Sequence, residues 1–251
     1  MCGIAGFLGY NAPSRALAIT LGQLERGTQG SGVAYICKRR IHIRKAPVHP
    51  AEFFLKVVDR LPKTCTIAIA HNRQPSKGKV SYENTHPFLA CNKEFALVHN
   101  GHMFDGKARK IIEKGKHKIQ GETDSEIICH LLEDLIREKN SIAKALMALE
   151  DYDFSGAVLL LTRNYKIYGL RDSHHPLVIA KQNSTYAIGS TEKAIKVVMK
   201  NPEKIIEPKP YQVVKLGYKG LRLIGKGKEP PKTTWKYVYD YDWWKNSRWY
   251  W

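Results

Sequence analysis

Met1-Cys2-Gly3-Ile4-Ala5-Gly6-Phe7-Leu8-Gly9 opens the chain. Residues 2–8 read as a short strand buried on both faces, with glycines at positions 3, 6 and 9 that let other backbone approach closely. No basic stretch leads into an apolar one here, so the segment is not a secretory signal. Pro13 then starts a helix over residues 13–25, with Leu17, Leu21 and Leu24 on one face and Gly27 as its stop. Strands follow at 32–36, 41–44, 64–70 and 95–98, with a helix at 51–60. Helices are predicted at 105–114, 123–138 and 141–149. The middle one carries the clearest signals: Thr123-Asp124-Ser125-Glu126 forms a capping box, and Ile127, Ile128, Leu131, Leu132 and Leu135 line one face. Strands return at 157–162, 166–170, 177–180, 185–189, 211–216 and 221–224, around a short helix at 192–199. Strands early and late with long helices between them predict a layered α+β fold, not a doubly wound parallel sheet.

The chain of 251 residues is 43% hydrophobic and 25% charged, long enough for a sizeable core. No apolar run approaches the ~18 residues of a membrane span, and the cytosol is the expected location. Forty-one Lys and Arg against 23 Asp and Glu give a net charge of +18. That excess suits a polyanion such as RNA, a tRNA-linked partner or an acidic protein, and it equally suits a solvated basic surface. The five cysteines are scattered without a C-x-x-C pair, which argues against a disulfide framework and a cysteine-based zinc site. Ten histidines bring no H-E-x-x-H, and His99-x-x-His102 and His174-His175 read as structural or loop residues. Neither metal nor cofactor is expected. No repeat is visible. Glu229-Pro230-Pro231-Lys232 reads as a stiff linker, dividing a domain at 1–228 from a tail at 229–251. In the tail Trp235, Tyr237, Tyr239, Tyr241 and Trp243 alternate with polar residues and Val238. Such an aromatic face would cover the domain, dock on a partner or a second copy, or stack on bases.

Position 2 carries chemistry of its own. Removal of Met1 ahead of a small residue leaves a chain that begins with cysteine. Its thiol has a pKa of about 8.5 and its α-amine about 7.7–8.0. Nucleophile and general base then share one residue, with the amine taking the thiol proton directly or through one water. The competing account makes Cys2 a small apolar residue at the start of a buried strand.

Further blocks keep it company: Leu24-Glu25-Arg26-Gly27 with Gly32-Val33-Ala34, Ala70-His71-Asn72-Arg73 leading to Gly78, Asn84-Thr85-His86-Pro87-Phe88 with Val98-His99-Asn100-Gly101, and Glu122-Thr123-Asp124-Ser125-Glu126. In this order after Cys2-Gly3-Ile4-Ala5-Gly6, over roughly residues 2–220, the sequence resembles the class II glutamine amidotransferases. The resemblance implies the four-layer αββα sandwich of N-terminal-nucleophile hydrolases. It also implies a thioester mechanism on Cys2 that turns glutamine and water into glutamate and ammonia. Asn100 and Gly101 would form the oxyanion hole, since the tetrahedral intermediate needs preorganised donors; Asn-Gly is also the pair that turns a chain after a strand. Arg73 would pair the substrate α-carboxylate through its planar fork, and Asp124 the α-ammonium. A surface arginine and a first-turn aspartate favoured by the helix dipole are the plainer accounts. Arg26 would help order the site.

Departures occur at Gln74, where an aromatic residue is frequent, at Ser76 and Lys77, and at Gln29. Ser76 keeps a hydroxyl for the carboxylate; Lys77 adds charge. The resemblance further implies a synthase that takes the ammonia, here expected as a separate subunit. Two rival expectations stand beside it: an N-terminal-cysteine amidohydrolase acting on another amide, and an inactive basic scaffold that binds RNA or a synthase. Asp172 and Ser190-Thr191-Glu192 read as structural.

Overall fold

Alternation within the first strand sets up the architecture. In β1 (Gly3–Leu8), Ile4 and Leu8 enter one apolar cluster while Ala5 and Phe7 enter another. The strand therefore lies between two cores, as its unbroken apolar run predicts. The computed structural model describes residues 1–227; the predicted boundary at 228, the linker and the aromatic tail lie outside the described residues.

After β1 come α1 (Ala12–Leu21), β2 (Ser31–Cys37), β3 (Arg40–Ala46), α2 (Pro50–Val57), β4 (Ile67–Asn72), β5 (Phe88–Leu89) and β6 (Phe95–Met103). The helices α3 (Gly106–Ile112), α4 (Asp124–Lys139) and α5 (Ile142–Met147) form the middle of the chain. Then follow β7 (Phe154–Thr162), β8 (Lys166–Arg171), β9 (Val178–Gln182), β10 (Thr185–Gly189), α6 (Glu192–Ile195), β11 (Lys204–Ile206), β12 (Val213–Gly217) and β13 (Gly220–Ile224). They build two antiparallel sheets, ordered β11-β9-β10-β1-β4-β2-β3 and β13-β12-β8-β7-β6-β5. Ile4, Ile67 and Ile69 of the first sheet meet Val98, Leu159 and Leu161 of the second in an inter-sheet core. Outside the first sheet, Ala16, Leu17 and Ile19 of α1 cover Ala5 and Phe7. Outside the second, Ile127, Ile128, Leu131 and Leu132 of α4 cover Leu97, Val158 and Leu160. Helix, sheet, sheet, helix: this is the α+β sandwich of four layers.

Local departures from expectation have local causes. The helix predicted over 13–25 stops at Leu21 and resumes as a single 3-10 turn, Leu24–Arg26. Between them the fully buried Gln23 sends its side-chain amide to the Ile4 carbonyl, 2.9 Å away, a bond that outweighs helix continuation. The helix predicted over 192–199 is regular only to Ile195. The capping box is half made: Thr123 Oγ1 accepts from Glu126 N at 3.4 Å, but the Glu126 carboxylate turns to the Gln120 and Gly121 N–H groups. The short β5 and β11 were not predicted.

Two corrections matter more. Asn100-Gly101 is not a turn; β6 runs through it, pairing Asn100 with Ala157 and Gly101 with Gly156. Gly101 adopts φ +152°, and a Cβ there would lie 2.1 Å from the Ser155 carbonyl oxygen, so only glycine fits. Against the expectation from cysteine spacing, Cys37 and Cys65 form a disulfide. The β2–β4 ladder, which pairs Tyr35 with Ala68, brings them together; 28 residues of sequence separation disguise that proximity.

Candidate active site

The strand period that fills the inter-sheet core also aims the polar residues at its end. Continuing Ile4 back by two gives Cys2; continuing Val98 forward by two gives Asn100; continuing Ile67 and Ile69 forward gives His71 and Arg73. Three separated motifs thus converge at one edge of the interface between sheets.

The contacts are direct. The Cys2 N–H donates to Asn100 Oδ1 at 2.8 Å. Because Met1 precedes it, this nitrogen is an amide; in a chain freed of Met1 the same atom is the α-amine. The other end of the Asn100 side chain, Nδ2, is buried and has no hydrogen-bond partner. Arg26 donates from Nε to the Cys2 carbonyl at 3.0 Å, so it holds the main chain just after the sulfur. Gly27 lets that loop pass against Arg73: a Cβ at 27 would sit 2.7 Å from the Arg73 carbonyl carbon. The Gln74 N–H donates to Cys2 Sγ at 3.3 Å. Burial pushes the Cys2 thiol pKa up, while the Gln74 N–H, the amino terminus, Arg73 and Arg26 pull it down.

Arg73 is buried, and its guanidinium donates to the carbonyls of Lys77, Gly78 and Lys79 at 3.0, 3.1 and 3.0 Å. It therefore holds the 77–79 loop as well as facing the site. The loop is gripped from its other side. Asn84 Nδ2 donates to the Lys79 carbonyl, Glu122 N donates to Asn84 Oδ1 at 2.7 Å, and Lys79 N donates to Glu122 Oε2. Lys77 pairs with Asp105 at 3.0 Å, ahead of α3. Ser76 is exposed on this loop. Asp124, at the start of α4, accepts from Met103 N at 2.8 Å through Oδ2 and so sits beside the end of β6. Cys2, Arg26 and Asn100 are brought together by contact, with Gly101 next in the strand; Arg73 acts on the Cys2 thiol through its charge, Asp124 is fastened three residues past Asn100, and Ser76 stands apart.

Sequence reasoning missed the main-chain N–H of Gln74. It treated position 74 only as a departure in side chain, yet a backbone donor serves whatever the side chain is. Ser190 also does more than start a helix: its hydroxyl accepts from Ile4 N at 3.2 Å and anchors β1. Asp172 is structural as expected, accepting from Ser155 and from the His174 and His175 N–H groups.

Behind the site lie three buried histidines. His71 Nε2 bonds the His99 carbonyl at 3.0 Å, and the His71 and His86 rings stack at 3.8 Å. Burial lowers His71 to about 3 and His99 to about 4, and takes His86 well below its ordinary 6.5. These imidazoles are neutral in the folded state and protonate first in the unfolded one. Stability is then complete above about pH 6.5 and falls as pH drops toward the folded values, by about 1.4 kcal/mol per pH unit for each imidazole. We expect the urea midpoint to fall already between pH 6.5 and 5, above the range where ordinary carboxylates titrate; an unchanged midpoint across that window would contradict the assignment.

Comparison with known proteins bears on this geometry. A family profile described as "Glutamine amidotransferases class-II" matches residues 14–157. The isomerizing glutamine–fructose-6-phosphate aminotransferase of Helicobacter pylori is 29% identical over 198 residues, 78% of this chain and 32% of that protein. Its counterpart from Streptococcus agalactiae is 32% identical over 192 residues, 75% of this chain and 30% of that one. The chain thus spans about a third of the length of the curated relatives it matches. Among solved structures, glutamine phosphoribosylpyrophosphate amidotransferase from Bacillus subtilis aligns with a TM-score of 0.74 at 22% identity, covering 88% of this chain and 48% of that one. A glutamine aminotransferase class-II domain protein from Silicibacter pomeroyi aligns at 0.62 and 16% identity, covering 91% and 100%. At these identities the structural likeness speaks for the fold alone, the four-layer sandwich of helix, sheet, sheet and helix.

Proposed function

The chain belongs to the class II glutamine amidotransferases, and from that premise we propose that it hydrolyses glutamine to glutamate and ammonia through a thioester on Cys2. In this reading Met1 is removed and the freed α-amine takes the thiol proton. The sulfur attacks the side-chain carbonyl carbon, and the oxyanion is received by Asn100 Nδ2 and the Gly101 N–H. The C–N bond breaks as the amine returns its proton to the departing nitrogen, which leaves as ammonia. Water then cleaves the thioester, giving glutamate and restoring the thiol.

What supports this most is the unpaired Nδ2 of Asn100. A buried donor with no acceptor costs about 1–3 kcal/mol. Such a cost makes sense beside a nucleophile, where the reacting oxygen supplies the missing acceptor. The opposite end of the same side chain meets the Cys2 nitrogen, so one residue addresses both base and oxyanion.

Arg73 is read as the binder of the α-carboxylate and Asp124 of the α-ammonium. Ser76 would need its loop to close before it contacts substrate. Arg26 fits a positioning role, through the Cys2 carbonyl. Arg73→Lys should raise KM for glutamine about tenfold or more while kcat changes less, because a lysine cannot grip the loop carbonyls and a carboxylate in a planar fork. Equal falls in kcat with KM unchanged would remove Arg73 from binding.

The ammonia acceptor is proposed to be a synthase on a separate subunit. Residues 1–228 would be the glutaminase domain and the tail at 229–251 a docking element. Among the described residues no helix is long and apolar enough to cross a membrane. A cytosolic location goes with the proposal, and the Cys37–Cys65 bond bears on it, since cytosolic disulfides persist chiefly in hyperthermophiles. RNA has only the basic charge in its favour. The test of the reading is glutamate release from glutamine by protein whose intact mass lacks Met1, with asparagine and simple amides as competitors. Turnover of another amide in preference to glutamine would transfer the site to the rival amidohydrolase reading. A pull-down from native cells returning no synthase would count against the separate subunit.

A further inference from the structure

At the end of β6 remote from Asn100, four side chains of metal-ligating type converge from three elements. Cys91 lies in the turn between β5 and β6, His117 in the segment between α3 and α4, and His130 and Glu133 one turn apart on α4. One ligand atom from each lies within 4.8 Å of all the others. We propose that they form a binding site for a divalent transition-metal ion, with zinc the ion this donor set favours.

The separations support a shared centre. Cys91 Sγ is 3.6 Å from His130 Nδ1, His130 Nδ1 is 2.9 Å from Glu133 Oε2, and His117 Nδ1 is 3.4 Å from the same oxygen. Ligands at ~2.0–2.3 Å from a tetrahedral zinc stand ~3.3–3.8 Å apart. Two of the three distances fall in that range, and the third opens by a few tenths of an ångström. One thiolate, two imidazoles and one carboxylate suit zinc, whereas magnesium and calcium prefer all-oxygen sets. Thiolate and carboxylate together also balance a 2+ charge.

The surroundings match what ligands of this kind require. Glu133 Oε1 accepts from Asn92 N at 3.1 Å, so the outer atom of one ligand is oriented by the protein, and the carboxylate of Asp134 stands 3.1 Å from His117 Nε2. His130 and Glu133 are buried, while Cys91 is exposed at a cleft of about 410 Å³, which gives the ion an entry path. The site would fasten the segment between α3 and α4, which carries Glu122 and the lead into Asp124, to the β5–β6 turn. Its role is therefore structural and independent of the thiol chemistry at Cys2.

The test uses the untagged full chain with Cys2→Ala, so that the catalytic thiol cannot bind metal. Zinc is titrated against a chromogenic chelator, and cobalt(II) is followed by absorption. One equivalent is expected to bind below micromolar concentration, with a tetrahedral cobalt spectrum that includes thiolate charge transfer. Zinc should also raise the melting midpoint. Adding Cys91→Ser or His117→Gln should weaken binding at least about 100-fold, beyond the ~10–100-fold typical of losing an outer partner, and should abolish the stabilisation by zinc. Absence of stoichiometric binding overturns the proposal, as does binding that survives both substitutions. Cys91 is exposed in a turn, so Cys91→Ser, checked by its metal-free melting curve, decides the matter even if the histidine variant does not fold.

Discussion

Cys2→Ala should lower glutamate release by about 10⁴-fold or more, to the residue of catalysis that binding and an oxyanion hole supply without a nucleophile. The expected result follows from Cys2 being the one free thiol at the site among the described residues. Cys2 Sγ meets the Gln74 N–H and lies in the field of Arg26 and Arg73, while the other free cysteines, Cys91 and Cys129, belong to the opposite end of β6 and to α4. Burial raises the thiol pKa, so attack depends on a base that takes the proton as the bond forms. The Gln74 nitrogen that meets the sulfur is an amide and cannot serve; the base proposed is the Cys2 nitrogen, which bonds Asn100 Oδ1 and becomes an amine once Met1 is removed. A second arm therefore accompanies the substitution: wild-type protein that keeps Met1, prepared without methionine removal, should be as inactive as Cys2→Ala although every side chain is present. Glutamine or glutamate should still bind to the alanine variant, measured by calorimetry, because the proposed binders Arg73 and Asp124 are untouched. Full turnover in Cys2→Ala, or normal turnover by a chain that retains Met1, would remove the thioester mechanism.

The candidate site residues were legible through the motifs of the resemblance, and strand alternation is the short-range rule by which the fold gathers several of them. Once β1 is read as buried on both faces, Cys2 must share a face with Ile4, and the same count puts Arg73 with Ile69 and Asn100 with Val98. The rule does not say where a strand ends. Asn-Gly looks like a turn by its own chemistry, but β6 stays paired with β7 beyond it, and Gly156 on β7 leaves room for the His99 ring and the Asn100 carbonyl. That extension matters: a paired strand holds Asn100 more rigidly than a turn would. The Cys37–Cys65 bond and the cluster at Cys91, His117, His130 and Glu133 escaped for a related reason. Spacing rules recognise ligands and bridges that are close in sequence, and these are joined by sheet register and helix docking. His130-x-x-Glu133 on one face of a well-marked helix was the one local sign of the cluster. Gln74 shows the reverse case, since a departure in side chain left its main-chain donor in place.

Asn100→Ala should reduce kcat by about 10²–10³-fold, the usual cost of one oxyanion donor, with a much smaller change in KM. Two functions are lost together in this variant: the Nδ2 donor and the Oδ1 acceptor that meets the Cys2 nitrogen. Asn100→Asp separates them. Aspartate keeps an oxygen toward the Cys2 nitrogen, and for a freed α-amine it offers a charge, so the base is held at least as well. At the other end it replaces the donor with a second acceptor, facing the place where negative charge develops. If Asn100 serves mainly to orient the amine, Asn100→Asp should approach wild-type turnover. If it serves the oxyanion, Asn100→Asp should be as slow as Asn100→Ala or slower, and its pH profile should move because the new carboxylate favours the protonated amine. The second outcome is expected, because Nδ2 is a buried donor without a partner whereas the nitrogen of Cys2 is also fixed through Arg26 and its own carbonyl. Turnover within a few-fold of wild type in both variants would take Asn100 out of the chemistry and leave its unpaired donor without an explanation.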